Sequence, residues 1–219
     1  MKPTIIYVYD GLCSWCYGFE KEMQILYDKF QDRYDFQLVS GGMFPAEQNR
    51  RIKDILGEGF REAYARVIEY SGADITEKYL GGLVEKDNYQ LNSEKPAQAF
   101  SAFKTYPNKS YRQIEFVTTM QSFMYGEGLN PNEDEMYHKT AEHFEIDADE
   151  FIAKMKTDAV LEDVKKDFQY AQALQVTGFP QVFLKTPQDQ YYLIARGYDK
   201  EDNIAARIAE IEKQNVINE

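Results

Sequence analysis

The sequence predicts an α/β fold in which a short βαβ unit and a later ββα unit flank a long helical segment. Residues 4–9 (TIIYVY) are β-branched and aromatic, as in a buried strand. Residues 35–42 (DFQLVSGG) show a second strand pattern that two glycines end. Residues 181–185 (QVFLK) and 191–197 (YYLIARG) predict a hairpin with its turn at 186–190. These strand signals lie only near the two ends of the chain.

Helices are predicted after the first strand and after the hairpin. Following the cysteines, apolar residues recur along one helical face: Phe19, Met23, Leu26, Tyr27 and Phe30. A strand, a helix and a strand within 42 residues form a βαβ unit, whose strands run parallel with a right-handed crossover. The last helix carries Ile204, Ile208 and Ile211 on its apolar side.

Between these units, helical patterns replace strand patterns. Asn132 and Asp147 each precede a glutamate by three residues, which is typical of helix N-caps. We therefore predict a helical insertion domain at 45–175. Without it, the order β-α-β and β-β-α is the thioredoxin arrangement, which assigns 1–44 and 176–219 to one thioredoxin-like domain.

Composition and charge exclude several classes of function. The net charge is −12, with 37 acidic and 25 basic residues, and this balance repels nucleic acid and anionic membrane surfaces. We find neither a secretory signal pattern nor an apolar run near the ~20 residues of a membrane span. The expectation is a soluble cytoplasmic protein. Because thiols stay reduced there, a close cysteine pair is typical of catalysis or metal binding.

The segment Cys13-Ser14-Trp15-Cys16 holds both cysteines and lies where the first helix begins. Unpaired amides and the helix dipole at that position favour a thiolate, which is the reactive form of cysteine. We expect Cys13 to be exposed and nucleophilic, and Cys16 to be buried one turn later. Cys16 could then attack a mixed disulfide formed at Cys13 and release the partner.

Two segments resemble a known family: YDGLCSWCYGF (9–19) and, after the helical segment, VTGFPQVFL (176–184). They are similar to the DsbA-type thiol–disulfide oxidoreductases, and most to the cytoplasmic FrnE-like branch of predicted disulfide isomerases. The resemblance implies that Cys13 is the nucleophile, Cys16 the resolving thiol and Pro180 a cis-proline packed against them. It also implies a reaction without a cofactor, with protein or small thiols and disulfides, glutathione included, as candidate substrates.

Other positions near the cysteines are candidates for substrate binding or proton transfer. Relatives often have Pro-His where this chain has Ser14-Trp15, and a buried carboxylate where it has Tyr7. Asp10 is either a proton relay or a turn residue that ends the strand. Trp15 screens the thiolate as a rim residue, contacts substrate, or packs against its own helix. We predict that Ser14, Trp15 and the backbone of Phe179 bind substrate, Phe179 by pairing with an extended chain.

Three other functions were weighed against disulfide exchange. Cys13, Cys16, His138 and His143 have zinc-finger spacing within each pair, but about 120 residues separate the pairs, so no metal site is predicted. A glutathione-dependent isomerase or transferase of the kappa or hydroxychromene carboxylate type is the nearer alternative, although those proteins carry serine at the position of Cys13. A chaperone-like peptide binder is the third.

Overall fold

The computed structural model describes residues 2–48, 50–86 and 89–217. The strands of this part are β1 (Thr4–Tyr9), β2 (Asp35–Ser40), β3 (Gln181–Lys185) and β4 (Tyr191–Arg196). Its α-helices are α1 (Ser14–Phe30), α2 (Ile52–Leu56), α3 (Phe60–Ser71), α4 (Glu77–Tyr79), α5 (Glu94–Lys104), α6 (Gln113–Tyr125), α7 (Asp134–His143), α8 (Ala148–Met155), α9 (Asp158–Ala173) and α10 (Glu201–Ile217). A π-helical turn (Leu80–Val84) extends α4.

The strands form one mixed sheet in the order β2-β1-β3-β4. β1 pairs in parallel with β2, with Tyr7 opposite Leu38, and antiparallel with β3, with Tyr7 opposite Val182. β3 and β4 form the predicted antiparallel hairpin. The predicted thioredoxin-like α/β fold with helices between its two halves is therefore confirmed.

The side chains of β1 alternate between two apolar layers, as the period of a strand requires. Ile5, Tyr7 and Tyr9 belong to the larger cluster, which also contains the buried faces of α1 and α10. Ile6 and Val8 belong to a smaller cluster on the other face, together with Val39, Phe183 and Ala171 of α9. Both faces of the central strand are thus covered by apolar side chains, and α1 follows its C-terminal end.

The helices α2–α9 lie between β2 and β3, as the sequence predicts. Many of their buried residues belong to the larger apolar cluster, together with residues of α1 and the sheet. The domain boundaries at 44/45 and 175/176 stay a prediction. The N-cap prediction for Asp147 is confirmed, because its side chain accepts the Glu150 amide. The N-cap prediction for Asn132 is wrong: Glu133 precedes α7, and the Asn132 side chain accepts the Gln90 amide instead. No helix in the described ranges is both long and apolar enough to span a bilayer.

Candidate functional site

The two cysteines lie at the junction between β1 and α1. Cys13 is the N-cap residue of α1, and its Sγ accepts the amide of Cys16 at 3.3 Å. Both thiols are free. A helix N-cap normally carries an oxygen acceptor, so here a sulfur atom takes the place where unpaired helix amides favour negative charge. The site therefore places the Cys13 sulfur among the first-turn amides of α1.

The prediction that Cys13 is exposed is wrong. Its exposed fraction is 5%, against 0% for Cys16. The cover comes from residues distant in sequence: Cys13 donates its S–H to the Phe179 carbonyl at 3.7 Å, and Tyr64 of α3 lines the same groove. Cys16 is buried as predicted, and this burial, followed by the hydrogen bond and charge of Cys13, raises the pKa of the Cys16 thiol well above its usual value.

The loop before β3 reaches Cys13 from the opposite end of the chain. The Phe179-Pro180 peptide bond is cis, as predicted, and the Pro180 carbonyl accepts the amide of Gly197. Gly41 lets the Phe179 ring approach, because a Cβ at position 41 would lie 1.9 Å from Cε1 of that ring. The carbonyl of Phe179 is thereby placed beside the Cys13 sulfur.

A groove of about 220 Å³ opens beside Cys13, between the start of α1 and the helices α2 and α3. It is lined by Leu12, Cys13, Ser14, Trp15, Met43, Phe44, Ile52, Ile55, Leu56, Ala63, Tyr64, Val67 and Phe179. None of these described lining residues is Asp, Glu, Lys, Arg or His. Such an apolar surface suits an uncharged side chain.

Ser14 and Trp15 are both partly exposed at this groove. The Trp15 ring contacts Tyr70 at the end of α3 and Tyr198 after β4, each at 6.3 Å between centroids. It therefore bridges the helical segment and the second half of the sheet at the rim of the groove.

A buried carboxylate lies one helical turn beyond Cys16. Glu20 is 2% exposed, and its two oxygens accept the hydroxyls of Tyr7 at 3.0 Å and Thr118 at 3.3 Å. Burial raises the pKa of Glu20 to about 8, although both hydrogen bonds act to lower it. Burial also raises the pKa of Tyr7, and the charges of Glu20, Cys16 and Cys13 raise it further. Tyr7 thus hydrogen-bonds this acid and interacts electrostatically with both thiols.

Asp10 has the predicted turn role at the end of β1. Its carboxylate oxygens accept the amides of Leu12 at 2.9 Å and Met43 at 2.7 Å, which joins the β1–α1 turn to the loop after β2. Burial raises the pKa of Asp10, and these amides oppose the rise. Both oxygens hold backbone groups, so Asp10 stabilises the turn that carries the cysteines, and its charge also acts to raise the pKa of Cys16.

The histidines lie apart from the cysteines. His138 and His143 belong to α7, and their side chains are 39% and 47% exposed. Within residues 2–48, 50–86 and 89–217, no three His, Cys, Asp or Glu side chains are grouped as metal ligands would be. The four-residue set with zinc-finger spacing is therefore not assembled in the fold.

Sequence reasoning missed Glu20 and two residues of α6, Gln121 and Tyr125, which bind the loop at residues 10–13. Glu20 had a readable signal, because it follows Cys16 by four residues and so shares the buried face of the helix. A carboxylate on such a face is uncommon unless it is paired or functional. The α6 residues had no comparable signal, since their partners are backbone carbonyls more than 100 positions away.

A model of a known protein family matches most of the chain. The model of the DSBA-like thioredoxin domain matches residues 4–209, which include the cysteines, the helical segment and the cis-proline. The chain belongs to this family. Membership in this family supports thiol–disulfide chemistry of the DsbA-like kind.

Solved structures of DsbA-like and related proteins share the fold. A candidate protein disulfide isomerase from Nitrosomonas europaea matches with a TM-score of 0.78 at 16% identity, over 98% of this chain and 99% of that chain. The cytosolic disulfide reductase DsbM from Pseudomonas aeruginosa, solved with GSH, matches at 0.74 and 19% identity, over 95% and 99%. A 2-hydroxychromene-2-carboxylate isomerase matches at 0.66 and 13%, over 99% of both. At these identities the likeness shows the fold alone.

One curated viral protein shares a short similar stretch. Replicase polyprotein 1a of Avian infectious bronchitis virus (strain Beaudette) is 35% identical over 81 residues, which is 35% of this chain and 2% of that protein. The chain thus spans a very small part of this relative's length, and the match assigns no activity.

Proposed function

We propose that the chain is a cytoplasmic thiol–disulfide oxidoreductase or isomerase that acts on protein disulfides and on small disulfides, glutathione among them. One observation carries the proposal: the Cys13 sulfur caps α1, accepts the Cys16 amide and lies at an apolar groove beside the Phe179 carbonyl. Family membership supports the chemistry. The fold shared with DsbM, a cytosolic disulfide reductase, supports the compartment.

In the proposed reaction, the Cys13 thiolate attacks one sulfur of a substrate disulfide. A Cys13–substrate bond forms, and the other substrate sulfur leaves as a thiolate and takes a proton. The Cys16 thiolate then attacks the Cys13 sulfur, which forms the Cys13–Cys16 disulfide and releases the second substrate thiolate. The substrate gains two electrons and the cysteine pair loses two, and the reverse sequence oxidises a dithiol.

The second attack requires that Cys16 lose its proton inside the protein. Its raised pKa makes this step unfavourable without a nearby base. Glu20 is such a base, since its pKa of about 8 leaves part of it ionised near neutral pH. In our proposal the Tyr7 hydroxyl, which donates to Glu20 at 3.0 Å, passes the proton from Cys16 to this carboxylate.

Substrate binding is assigned to Ser14, Trp15 and Phe179, with Pro180 holding the loop at the thiols. When Cys13 is in a mixed disulfide, its sulfur no longer donates to the Phe179 carbonyl, and that acceptor becomes available to an amide of an extended substrate. An apolar side chain next to the substrate cysteine would enter the groove. This groove lies between the proposed domains, 1–44 with 176–219 and 45–175.

Single cysteine variants test the proposal. Cys13→Ser should abolish reduction of insulin and refolding of a scrambled disulfide protein, because no mixed disulfide forms. Cys16→Ser should instead accumulate a mixed disulfide, since attack occurs without resolution. Mass spectrometry of acid-quenched reactions would identify the adduct. Full activity of Cys16→Ser in a glutathione-dependent isomerisation would favour the alternative transferase-type chemistry, and full insulin reduction by Cys13→Ser would reject the assignment.

A further inference from the structure

The carbonyl groups just before α1 are all held by one helix of the connecting segment. The side-chain nitrogen of Gln121, on α6, donates to the carbonyls of Asp10, Gly11 and Cys13 at 3.3, 3.2 and 3.4 Å. The hydroxyl of Tyr125, one turn later, donates to the Leu12 carbonyl at 2.7 Å. Four consecutive carbonyls at the candidate site are therefore bound from outside the βαβ unit.

The orientation of the Gln121 amide follows from these contacts. Three carbonyl oxygens surround one terminal atom, and only the nitrogen can donate to them. The other terminal atom, Oε1, is buried, and no donor in the described part of the chain reaches it. The amide nitrogen of Gln121 is therefore directed at the backbone of residues 10–13.

We propose that Gln121 and Tyr125 are positioning residues for disulfide exchange, which hold residues 10–13 so that the Cys13 sulfur stays at the N-terminus of α1. This inference rests on the proposed function. The Gln121 nitrogen places partial positive charge on carbonyl oxygens close to the thiols, and the fixed loop keeps Cys13 within reach of the Cys16 amide at 3.3 Å. Both effects stabilise a Cys13 thiolate, and hence the reduced form of the pair.

Replacement of Gln121 by methionine tests the role of the amide. Methionine has a similar length and no donor, and the change removes the unpaired Oε1 together with the amide nitrogen. We expect the Cys13–Cys16 equilibrium with glutathione to shift about fivefold towards the disulfide, as for one lost hydrogen bond. Alkylation of Cys13 by iodoacetamide at pH 6 should slow by a similar factor. Gln121→Glu places a negative charge against the carbonyls. It should therefore shift the glutathione equilibrium further towards the disulfide and slow the alkylation of Cys13 further.

Two other variants complete the experiment. Tyr125→Phe removes only the hydroxyl and keeps the ring stacked on Tyr17 at 5.1 Å, so it should give a smaller shift of the same sign. Gln113→Met, at the first turn of α6, is the matched control and should leave both measurements unchanged. Urea unfolding of each variant checks that it is folded.

The outcomes separate the inference from the proposed function. If folded Gln121→Met and Tyr125→Phe have the alkylation rate and the glutathione equilibrium of the parent, the two residues do not position Cys13 and the inference is rejected. If Gln121→Met does not fold, Tyr125→Phe alone decides between the same two results. If the parent forms no Cys13–Cys16 disulfide with glutathione, the proposed function fails, while the alkylation rates still test the positioning role.

Discussion

Replacement of Glu20 by glutamine removes one ionisable group from the interior with little change of shape. The glutamine oxygen can accept the Tyr7 hydroxyl that now lies 3.0 Å from Oε1. The glutamine NH₂ would replace the oxygen that accepts the Thr118 hydroxyl. Thr118 can then direct its hydroxyl to the Ile114 carbonyl, and its own oxygen can accept from that NH₂. The variant should therefore fold with its polar groups paired.

The size of the effect follows from the pKa of Glu20. In the folded protein the group keeps its proton up to about pH 8, whereas in the unfolded chain it loses the proton near its ordinary value of 4.5. Between these values the unfolded state binds fewer protons, so raising the pH favours unfolding. Glu20 makes its full contribution to the free energy of unfolding below pH 4.5, and this contribution is lost as the pH rises to about 8. At about 1.4 kcal/mol for each pH unit, the loss is about 4 kcal/mol between pH 5 and 8.5.

Urea unfolding of the parent and Glu20→Gln at half-unit steps from pH 5 to 9 measures this difference. The free energy of unfolding of the parent should fall relative to the variant by about 4 kcal/mol across the range. Glu22→Gln is the matched control on the same helix. Burial alone would raise the pKa of Glu22, but Lys200 and the Glu201 amide outweigh burial and lower that pKa. The free energy of unfolding that Glu22 contributes therefore increases with pH, and it does so at lower pH than the change caused by Glu20.

Parallel curves for the parent and Glu20→Gln would refute the buried-acid reasoning. The same variant also tests proton transfer from Cys16. Release of a mixed disulfide preformed at Cys13 should slow by about 10- to 100-fold, which is the low end of general acid–base effects. Unchanged release at pH 7, with the stability effect present, would show that another group takes the proton.

Two other predictions concern the redox equilibrium and the groove. Without a histidine between the thiols, the pair should be more reducing than the approximately −120 mV of DsbA, and a glutathione equilibrium giving that value or a higher one would reject this expectation. Leu56→Gln places an uncharged polar group in the apolar groove, so KM for a polypeptide disulfide should rise about fivefold while exchange with a small disulfide is unchanged. Ile25→Gln, an exposed position on α1, is the control, and equal effects of both variants would count against the groove as a binding site.

The sequence was sufficient to predict the sheet and the placement of the cysteine pair. Strand alternation and helical periodicity are local signals, so the bounds of β1, α1 and the hairpin follow from neighbouring residues. The cis-proline was also predictable, because Gly178-Phe179-Pro180 precedes a strand as in the related family.

Exposure and proton transfer were harder to predict because both depend on distant contacts. The N-terminal position of Cys13 on α1 predicts an exposed thiol, yet it is 5% exposed, and Phe179 and Tyr64, which lie far from it in sequence, line the same groove. Asn132 has the local pattern of a cap, but its oxygen is used by the amide of Gln90. Helix periodicity places Glu20 on a buried face, whereas only the fold shows that Tyr7 is its partner.

The central position of β1 has a consequence for the order of events during synthesis. Val8 pairs with Gln181 and Thr4 with Lys185, so one side of β1 has no neighbour until almost the whole chain has been made. At about 5–20 residues per second, a ribosome takes roughly 9–35 s to add the intervening residues. The parallel partner β2 and the helices α2–α9 appear within that interval. Throughout it, the β3-facing edge of β1 remains open to pairing with another chain, so the nascent protein is most prone to aggregation before β3 emerges.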